Sequence, residues 1–361
     1  NERYSQISGR SAEDLSLLRL DEITHPDERP QIEALFSRLI ESGEEFGIDL
    51  RLVRPDGSHL WVGCSLSLIR RKAEEPLYVQ VVSIDLTERK QAEEVKERLQ
   101  QRERNIATQL QEALIPSEPS NLPGLSLTSF YRPALTDEAG VGGDFFDVFS
   151  LEKGCTALVV GDLSGKGLSA ASQVAVVRNM LRYAVYTGST LVEAVSHLNR
   201  VLAEQNLLTG FATLFVAAYD QPQRTLTYVN CGQEPALIWR QETSQVEELG
   251  PTGPVLGGFQ EGVFTERVVH LGPGDVITVF TDGLTEVGPT RKRFLEVEGV
   301  ADLLSHCCAA NAETAEERER GAGAKYIRDS LIQGVDAFAR NGIRDDIALL
   351  IGIVEGSDRI I

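Results

Sequence analysis

A chain of 361 residues, 42% of them apolar, is long enough for two ordinary domains with buried cores and too apolar for a disordered one. Its 35 Lys plus Arg are outnumbered by 54 Asp plus Glu, and the formal charge of −19, with no basic patch to offset it, argues against nucleic-acid binding. No run approaches the ~18 consecutive apolar residues of a membrane span, so no spanning segment is expected in this chain. Cys64, Cys155, Cys231, Cys307 and Cys308 are odd in number and form no CxxC pair, and the five His are scattered. Free thiols in a reducing cytoplasm are therefore expected, without disulfides or zinc. The sequence opens at Asn1 already inside a patterned segment, so further residues are expected upstream.

The first region, residues 1–86, begins with a short helical stretch and polar turns. A helix is then predicted over Pro30 to Ser42, with Ile32, Leu35, Phe36, Leu39 and Ile40 on one face. Strands are predicted over Glu45 to Val53, Leu60 to Ile69 and Leu77 to Ile84. The first two are joined by Arg54-Pro55-Asp56-Gly57-Ser58, where Pro presets φ and Gly accepts a positive φ. Helices followed by an antiparallel meander make a small α+β module. Ile7-Ser8-Gly9-Arg10-Ser11, His25-Pro26-Asp27-Glu28-Arg29, Arg51-Leu52-Val53-Arg54-Pro55-Asp56-Gly57, Trp61 and the exit Ile84-Asp85-Leu86-Thr87-Glu88-Arg89-Lys90 carry a resemblance to the later two-thirds of a PAS domain. The resemblance implies a partial sensor module whose first two strands are missing, with no bound ligand expected. His25 is read as part of the loop signature.

Residues 87–115 form the second region. Thr87 suits an N-cap and Glu88 the first turn, and no Gly or Pro follows until Pro116. Ala92, Leu99, Ile106 and Ala113 recur every seven residues, supplemented by Val95 and Leu110, while Arg102 and Gln109 weaken the companion positions. This predicts a helix with a narrow apolar stripe and a short parallel coiled coil, hence a homodimer. A single helix packed on its own domain is the alternative. Pro116 and Pro119 should end it.

The third region, residues 116–355, contains short β-branched runs at Thr156 to Val160, Leu214 to Tyr219, Thr225 to Val229, Ala236 to Trp239, Val276 to Phe280 and Ile347 to Val354. Helices are predicted over Ala170 to Tyr186, Thr190 to Gln205 and Ala324 to Ala339. Helices that come in pairs between strands, with neighbouring strands joined by short turns, imply antiparallel sheets. The expected fold class is α+β, an α-β-β-α sandwich of two antiparallel sheets flanked by helices.

Acidic residues punctuate these strands. Asp162 follows Ala157-Leu158-Val159-Val160-Gly161, Asp282 follows Val276-Ile277-Thr278-Val279-Phe280-Thr281, and Asp345-Asp346 precede Ile347-Ala348-Leu349-Leu350-Ile351. Asp144 follows Gly142-Gly143 and leads into Phe145-Phe146-Asp147-Val148-Phe149. An acid at the end of one strand and an acid at the start of an antiparallel neighbour share one end of a sheet. Any one Asp-Gly is adequately explained as a turn; four in this order and glycine context point to a site. Converging carboxylates repel unless cations lie between them, and oxygen-only ligation favours Mg²⁺ or Mn²⁺.

Val141-Gly142-Gly143-Asp144-Phe145-Phe146-Asp147-Val148, Gly161-Asp162-Leu163-Ser164-Gly165-Lys166-Gly167, Thr281-Asp282-Gly283-Leu284-Thr285-Glu286 and Arg344-Asp345-Asp346-Ile347 resemble successive motifs of the SpoIIE-type branch of the metal-dependent (type 2C, PPM) serine/threonine phosphatases. Gln111 to Pro116, Phe211 to Phe215, Asn230 to Ala236 and Gly253 to Gly257 add to the match. The resemblance implies two or more Mn²⁺ or Mg²⁺ ions, with Asp162 bridging two of them, the Leu163 carbonyl contributing, Asp144 serving one side, and Asp282 and Asp345 completing the set. It implies in-line attack on phosphorus by a bridging hydroxide. Asp147, Gly283 and Asp346 would be outer or water-mediated partners, with Asp345 favoured over Asp346 as the ligand. Gln233 stands where the family often has His, and Ala348 where Thr is common. No phosphate-gripping Arg or general-acid His stands in these motifs. The implied substrate is phosphoserine or phosphothreonine on an anti-sigma-factor antagonist, under control of the sensor module.

Two other enzyme classes fit less well. Gly142-Gly143-Asp144-Phe145-Phe146 superficially resembles a diguanylate cyclase signature, but position 145 is Phe where an acid is required, and the motif opens its domain. A histidine kinase lacks its phosphoacceptor, because residues 87–115 contain no His. A catalytically silent pseudophosphatase that binds a partner is the rival from another class; the presence of all four acids argues against it.

Overall fold

The computed structural model describes residues 2–71, 75–114, 122–133, 142–289, 293–313, 322–340 and 345–356. The helix stop at Pro116 and Pro119, and the motif residues Val141 and Arg344, lie outside them. The chain divides into two compact units, Asn1–Gln101 and Arg102–Ile361.

In the first unit, helices α1 (Glu2–Ser8), α2 (Ala12–Leu17), α3 (Leu20–Ile23) and α4 (Arg29–Ser42) precede strands β1 (Phe46–Val53), β2 (His59–Arg71) and β3 (Glu75–Asp85). Ile32 and Leu39 are the buried residues of α4, which ends where the N–H of Gly43, in the left-handed region at φ 73°, donates to Leu39 O. The three strands form an antiparallel meander in the order β1-β2-β3. The Arg54 to Ser58 turn closes with Arg54 N donating to Ser58 O at 2.9 Å and sets the register Val53 opposite His59. Leu39, Leu50, Leu52, Leu60, Val62 and Leu66 make the core. Helix α5 (Thr87–Leu114) starts against this unit: Thr87 Oγ1 accepts from Trp61 N at 3.2 Å, and Lys90 Nζ lies 5.4 Å from the Trp61 ring centroid.

The second unit continues with β4 (Leu125–Arg132), β5 (Phe145–Ser150), β6 (Cys155–Leu163), α6 (Leu168–Tyr186), α7 (Leu191–Glu204), β7 (Ala212–Asp220), β8 (Thr225–Cys231), β9 (Ala236–Arg240), β10 (Gln245–Leu249), β11 (Arg267–His270), β12 (Val276–Phe280), α8 (Glu296–Glu313), α9 (Ala322–Ala339) and β13 (Ile347–Val354). Two five-stranded antiparallel sheets result, ordered β10-β9-β12-β13-β4 and β11-β8-β7-β6-β5. Alternate residues of each strand face opposite layers. Leu158, Val160 and Phe215 from one sheet meet Ile277, Val279, Ala348 and Leu350 from the other between the sheets. Val159, Leu163, Leu214 and Val216 face Val177, Leu181, Val195 and Leu198 of α6 and α7. Leu237, Phe280, Leu349 and Ile351 face Leu304, Ile327 and Leu331 of α8 and α9. The architecture is the expected α-β-β-α sandwich. Strands buried on both faces explain why they read as unbroken apolar runs.

Four elements have weaker sequence signals. Strands β4, β10 and β11 are edge strands, rich in Ser, Thr, Glu and Arg because less of their surface is buried. Helix α8 carries Gly299 and the poor helix formers Ser305, His306, Cys307, Cys308 and Asn311, and is held by packing of Val300, Leu304 and Cys308. Among the described residues no helix is long and apolar enough to cross a membrane.

Candidate metal centre

Four chain segments meet at one end of the sandwich. Asp144 immediately precedes β5, and Asp162 is the penultimate residue of β6. Antiparallel pairing of Phe145 with Gly161 sets these two strand ends side by side. Asp282 opens a short 3₁₀ turn, Asp282–Leu284, after β12, and Asp345 and Asp346 lie just before β13. Phe280 pairs with Leu349, so the exit of β12 and the entry of β13 also share an edge.

Cross-links between the segments are specific. Leu163 N donates to Gly143 O at 3.2 Å, holding the end of β6 to the approach of β5. Thr281 N donates to Ala348 O at 3.0 Å, and Ala348 N donates to Thr281 Oγ1 at 2.9 Å. That same Thr281 hydroxyl donates a short bond to Asp144 Oδ2, joining one sheet's acid to the other sheet's strand end. Two glycines permit the approach. A Cβ on Gly143 would lie 1.9 Å from Leu163 O and 2.7 Å from Asp162 Oδ1, and one on Gly283 would lie 1.7 Å from Asp346 O. Side chains there are sterically forbidden, and the crowding around Gly143 places the Leu163 carbonyl beside the Asp162 carboxylate.

Among the described residues, Asp144, Asp162 and Asp282 each offer an oxygen within 4.8 Å of the others. Asp345 stands outside this trio: its Oδ1 accepts from Lys166 Nζ at 3.1 Å and from Asp346 N at 3.0 Å. Asp346 is buried, at 4% exposure, and its Oδ2 fills the space beside Gly142, 1.1 Å from where a Cβ would stand. Asp147 is fully buried on β5 and receives Arg182 Nη1 of α6 on both oxygens, at 3.1 and 3.2 Å. Gln233 spans the two sheets, accepting from Thr213 Oγ1 at 2.6 Å and donating to Phe280 O at 3.0 Å. A neutral amide meets both demands, which accounts for Gln at that position.

Burial and mutual repulsion set the electrostatics of these carboxylates. Burial, then the Asp162 charge, holds the Asp144 carboxyl well above the usual carboxylate range. Burial raises Asp162, and the charges of Asp345 and Asp346 add to it. Asp282 is pushed up to about 7, by burial first and then by Asp162, Asp345, Glu286 and Glu234. Acids forced together in this way fit divalent cations, and an all-oxygen donor set with a backbone carbonyl fits Mg²⁺ or Mn²⁺.

Residues 152–353, more than half of the chain, match the family described as stage II sporulation protein E (SpoIIE). The chain belongs to the SpoIIE family. Its residues 1–83 match the PAS fold. This SpoIIE-family chain is 28% identical over 288 residues to protein IcfG of Synechocystis, a match that covers 72% of this chain and 42% of IcfG. It is 27% identical over 247 residues to the phosphoserine phosphatase RsbU of Bacillus subtilis, covering 68% of each. Its fold is similar to the crystal structure of the RsbU and RsbW domains of Rv1364c from Mycobacterium tuberculosis, with a TM-score of 0.55 and 28% identity over 65% of this chain and 62% of that one. The chain thus spans under half the length of IcfG and about two-thirds of RsbU.

Two contacts at this centre escape a reading of the sequence. Thr281 looks like the last residue of an apolar run, and only its position next to Asp282 hints at a hydroxyl aimed into the centre. Lys166 reads as part of a glycine-rich turn; the available signal is a lone cation embedded in an acidic motif.

Proposed function

We propose that this chain is a sensor-regulated, metal-dependent protein phosphatase that hydrolyses phosphoserine or phosphothreonine on a partner protein. One observation carries the reading: carboxylates from three separate strand ends, Asp144, Asp162 and Asp282, converge within 4.8 Å. The kinship with RsbU, a phosphoserine phosphatase, supports the substrate class. Asp144, Asp162, Asp282 and Asp345, with the Leu163 carbonyl, would hold two or more Mn²⁺ or Mg²⁺ ions. Ions bound there would supply an activated water and neutralise charge on the phosphoryl oxygens.

The chain's own residues position and shield. Thr281 fixes the rotamer of Asp144 through its hydroxyl bond, and the 8% exposure of Asp144 keeps bulk water off that side. Asp346 packs its carboxylate beside Gly142, and its backbone carbonyl lies against Gly283, so it sets the distance between the β5 and β12 approaches. Asp147 anchors α6 through Arg182. No side chain is assigned as a nucleophile. The partner we propose is a phosphorylated anti-sigma-factor antagonist, reached in the cytoplasm. The PAS-matching unit would act through α5, paired with a second copy, on the helices that follow Asp162.

The test is hydrolysis of p-nitrophenyl phosphate by metal-stripped full chain, with and without Mn²⁺. Metal-stimulated turnover that falls on the order of 100-fold or more in Asp162→Asn and Asp282→Asn is the expected result. A folded wild-type chain without metal-stimulated turnover, on this ester and on phosphorylated antagonist alike, would mark a silent binding module instead.

A further inference from the structure

Lys166 has no part in the chemistry above, yet its Nζ lies 3.1 Å from Asp345 Oδ1, at the rim of the acidic centre. The contact is built on a short glycine-flanked turn held at both ends. On one side the chain is pinned at Ser164, whose N and Oγ both donate to Phe211 O, at 3.1 and 2.9 Å. On the other side α6 begins at Leu168. Between these anchors Lys166 is bracketed by Gly165 and Gly167, both at positive φ (120° and 87°), and the space around Gly165 is open.

The pair is also half-solvated. The side chains of Lys166 and Asp345 are 48% and 40% exposed. Such ion pairs are weak and are screened by salt. The Lys166 ammonium further feels the negative charges of Asp346 and Asp144. It is therefore attracted by the same field that would draw a divalent ion, and two cations competing for one carboxylate repel each other. Asp345 stands apart from the converging trio of Asp144, Asp162 and Asp282, and its Oδ1 is already engaged.

We propose that Lys166 is an internal counter-ion of the centre, occupying Asp345 until a divalent cation displaces it. The inference rests on the metal-centre reading given above. It makes ion loading at the Asp345 side a competition, while loading among Asp144, Asp162 and Asp282 does not depend on Lys166. The competition depends on charge, so Arg should preserve it and Gln should abolish it.

Calorimetric titration of Mn²⁺ into the metal-stripped full chain measures this directly, independent of turnover. The weaker class of sites should bind about three- to fivefold tighter in Lys166→Gln, the ratio a half-exposed ion pair is worth. Lys166→Arg should match wild type. In an Asp345→Asn background, adding Lys166→Gln should change nothing. Circular dichroism checks that each variant is folded, and Lys166→Met, which also removes the charge, makes the same two comparisons if Lys166→Gln is poorly folded. Equal or weaker binding by Lys166→Gln, with Asp162→Asn still abolishing Mn²⁺ uptake, would overturn the counter-ion role and leave the metal centre standing. Absence of Mn²⁺ binding in wild type would remove both.

Discussion

Thr281 and Gly143 do opposite things for the same centre. Thr281 adds a hydroxyl that ties Asp144 to the far sheet, and Gly143 removes a side chain so that Asp162 and the Leu163 carbonyl can share one spot. The second contribution is steric and hence easily tested. A methyl at position 143 cannot coexist with Leu163 O at 1.9 Å, so the end of β6 must shift. Gly143→Ala is expected to cost about 1–3 kcal/mol of stability by overpacking. Displacing the proposed ligands by a fraction of an ångström should lower Mn²⁺-dependent hydrolysis on the order of 100-fold. Thermal melts and turnover on p-nitrophenyl phosphate check both; wild-type turnover would show that the crowding has no bearing on the centre.

Two helices deserve comparison at the next scale. Helix α6 has a buried face of Ala170, Ala171, Val174, Val177, Leu181 and Val185, and is further pinned by Arg182, which pairs with Asp147 and lies 4.7 Å from the Phe149 ring centroid. Among the described residues of α5, Val95, Leu99 and Ile106 are 55%, 61% and 41% exposed. An exposed apolar stripe on a long helix is stabilised by a second helix. We therefore expect the full chain to sediment as a dimer, and the double substitution Leu99→Glu, Ile106→Glu to sediment as a monomer. A monomeric wild type in analytical ultracentrifugation would dismiss the coiled coil.

For the whole molecule, the division at Gln101 and Arg102 falls within α5, so a single helix belongs to both units. We propose that this shared helix couples the PAS-matching unit to the second unit, and coupling between sites is typically worth 1–3 kcal/mol. Deleting residues 1–86 is accordingly expected to change Mn²⁺-dependent kcat by about fivefold or more while leaving the second unit folded. Identical kcat with and without those residues would remove the regulatory reading.

Sequence alone determined the two-sheet sandwich class and its inner strands, because strands buried on both faces need unbroken apolar runs; the order of strands within each sheet came only from the fold. It also determined where acids stand along the chain, since each interrupts such a run: Asp162 after Gly161, Asp282 after Thr281, Asp345 before Ile347. The edge strands β4, β10 and β11 were hidden because they are half polar. Only the tertiary structure decided which groups face one another. Asp345 and Asp346 are neighbours in sequence, yet one is 40% exposed at its side chain against Lys166 and the other is buried beside Gly142. Both precede β13, in a bend where no strand alternation applies, and nothing local says which of the two faces the centre. The contacts of Thr281 with Asp144 and of Lys166 with Asp345 join residues 137 and 179 positions apart. They exist because two sheets stack, which no pattern within either strand can encode.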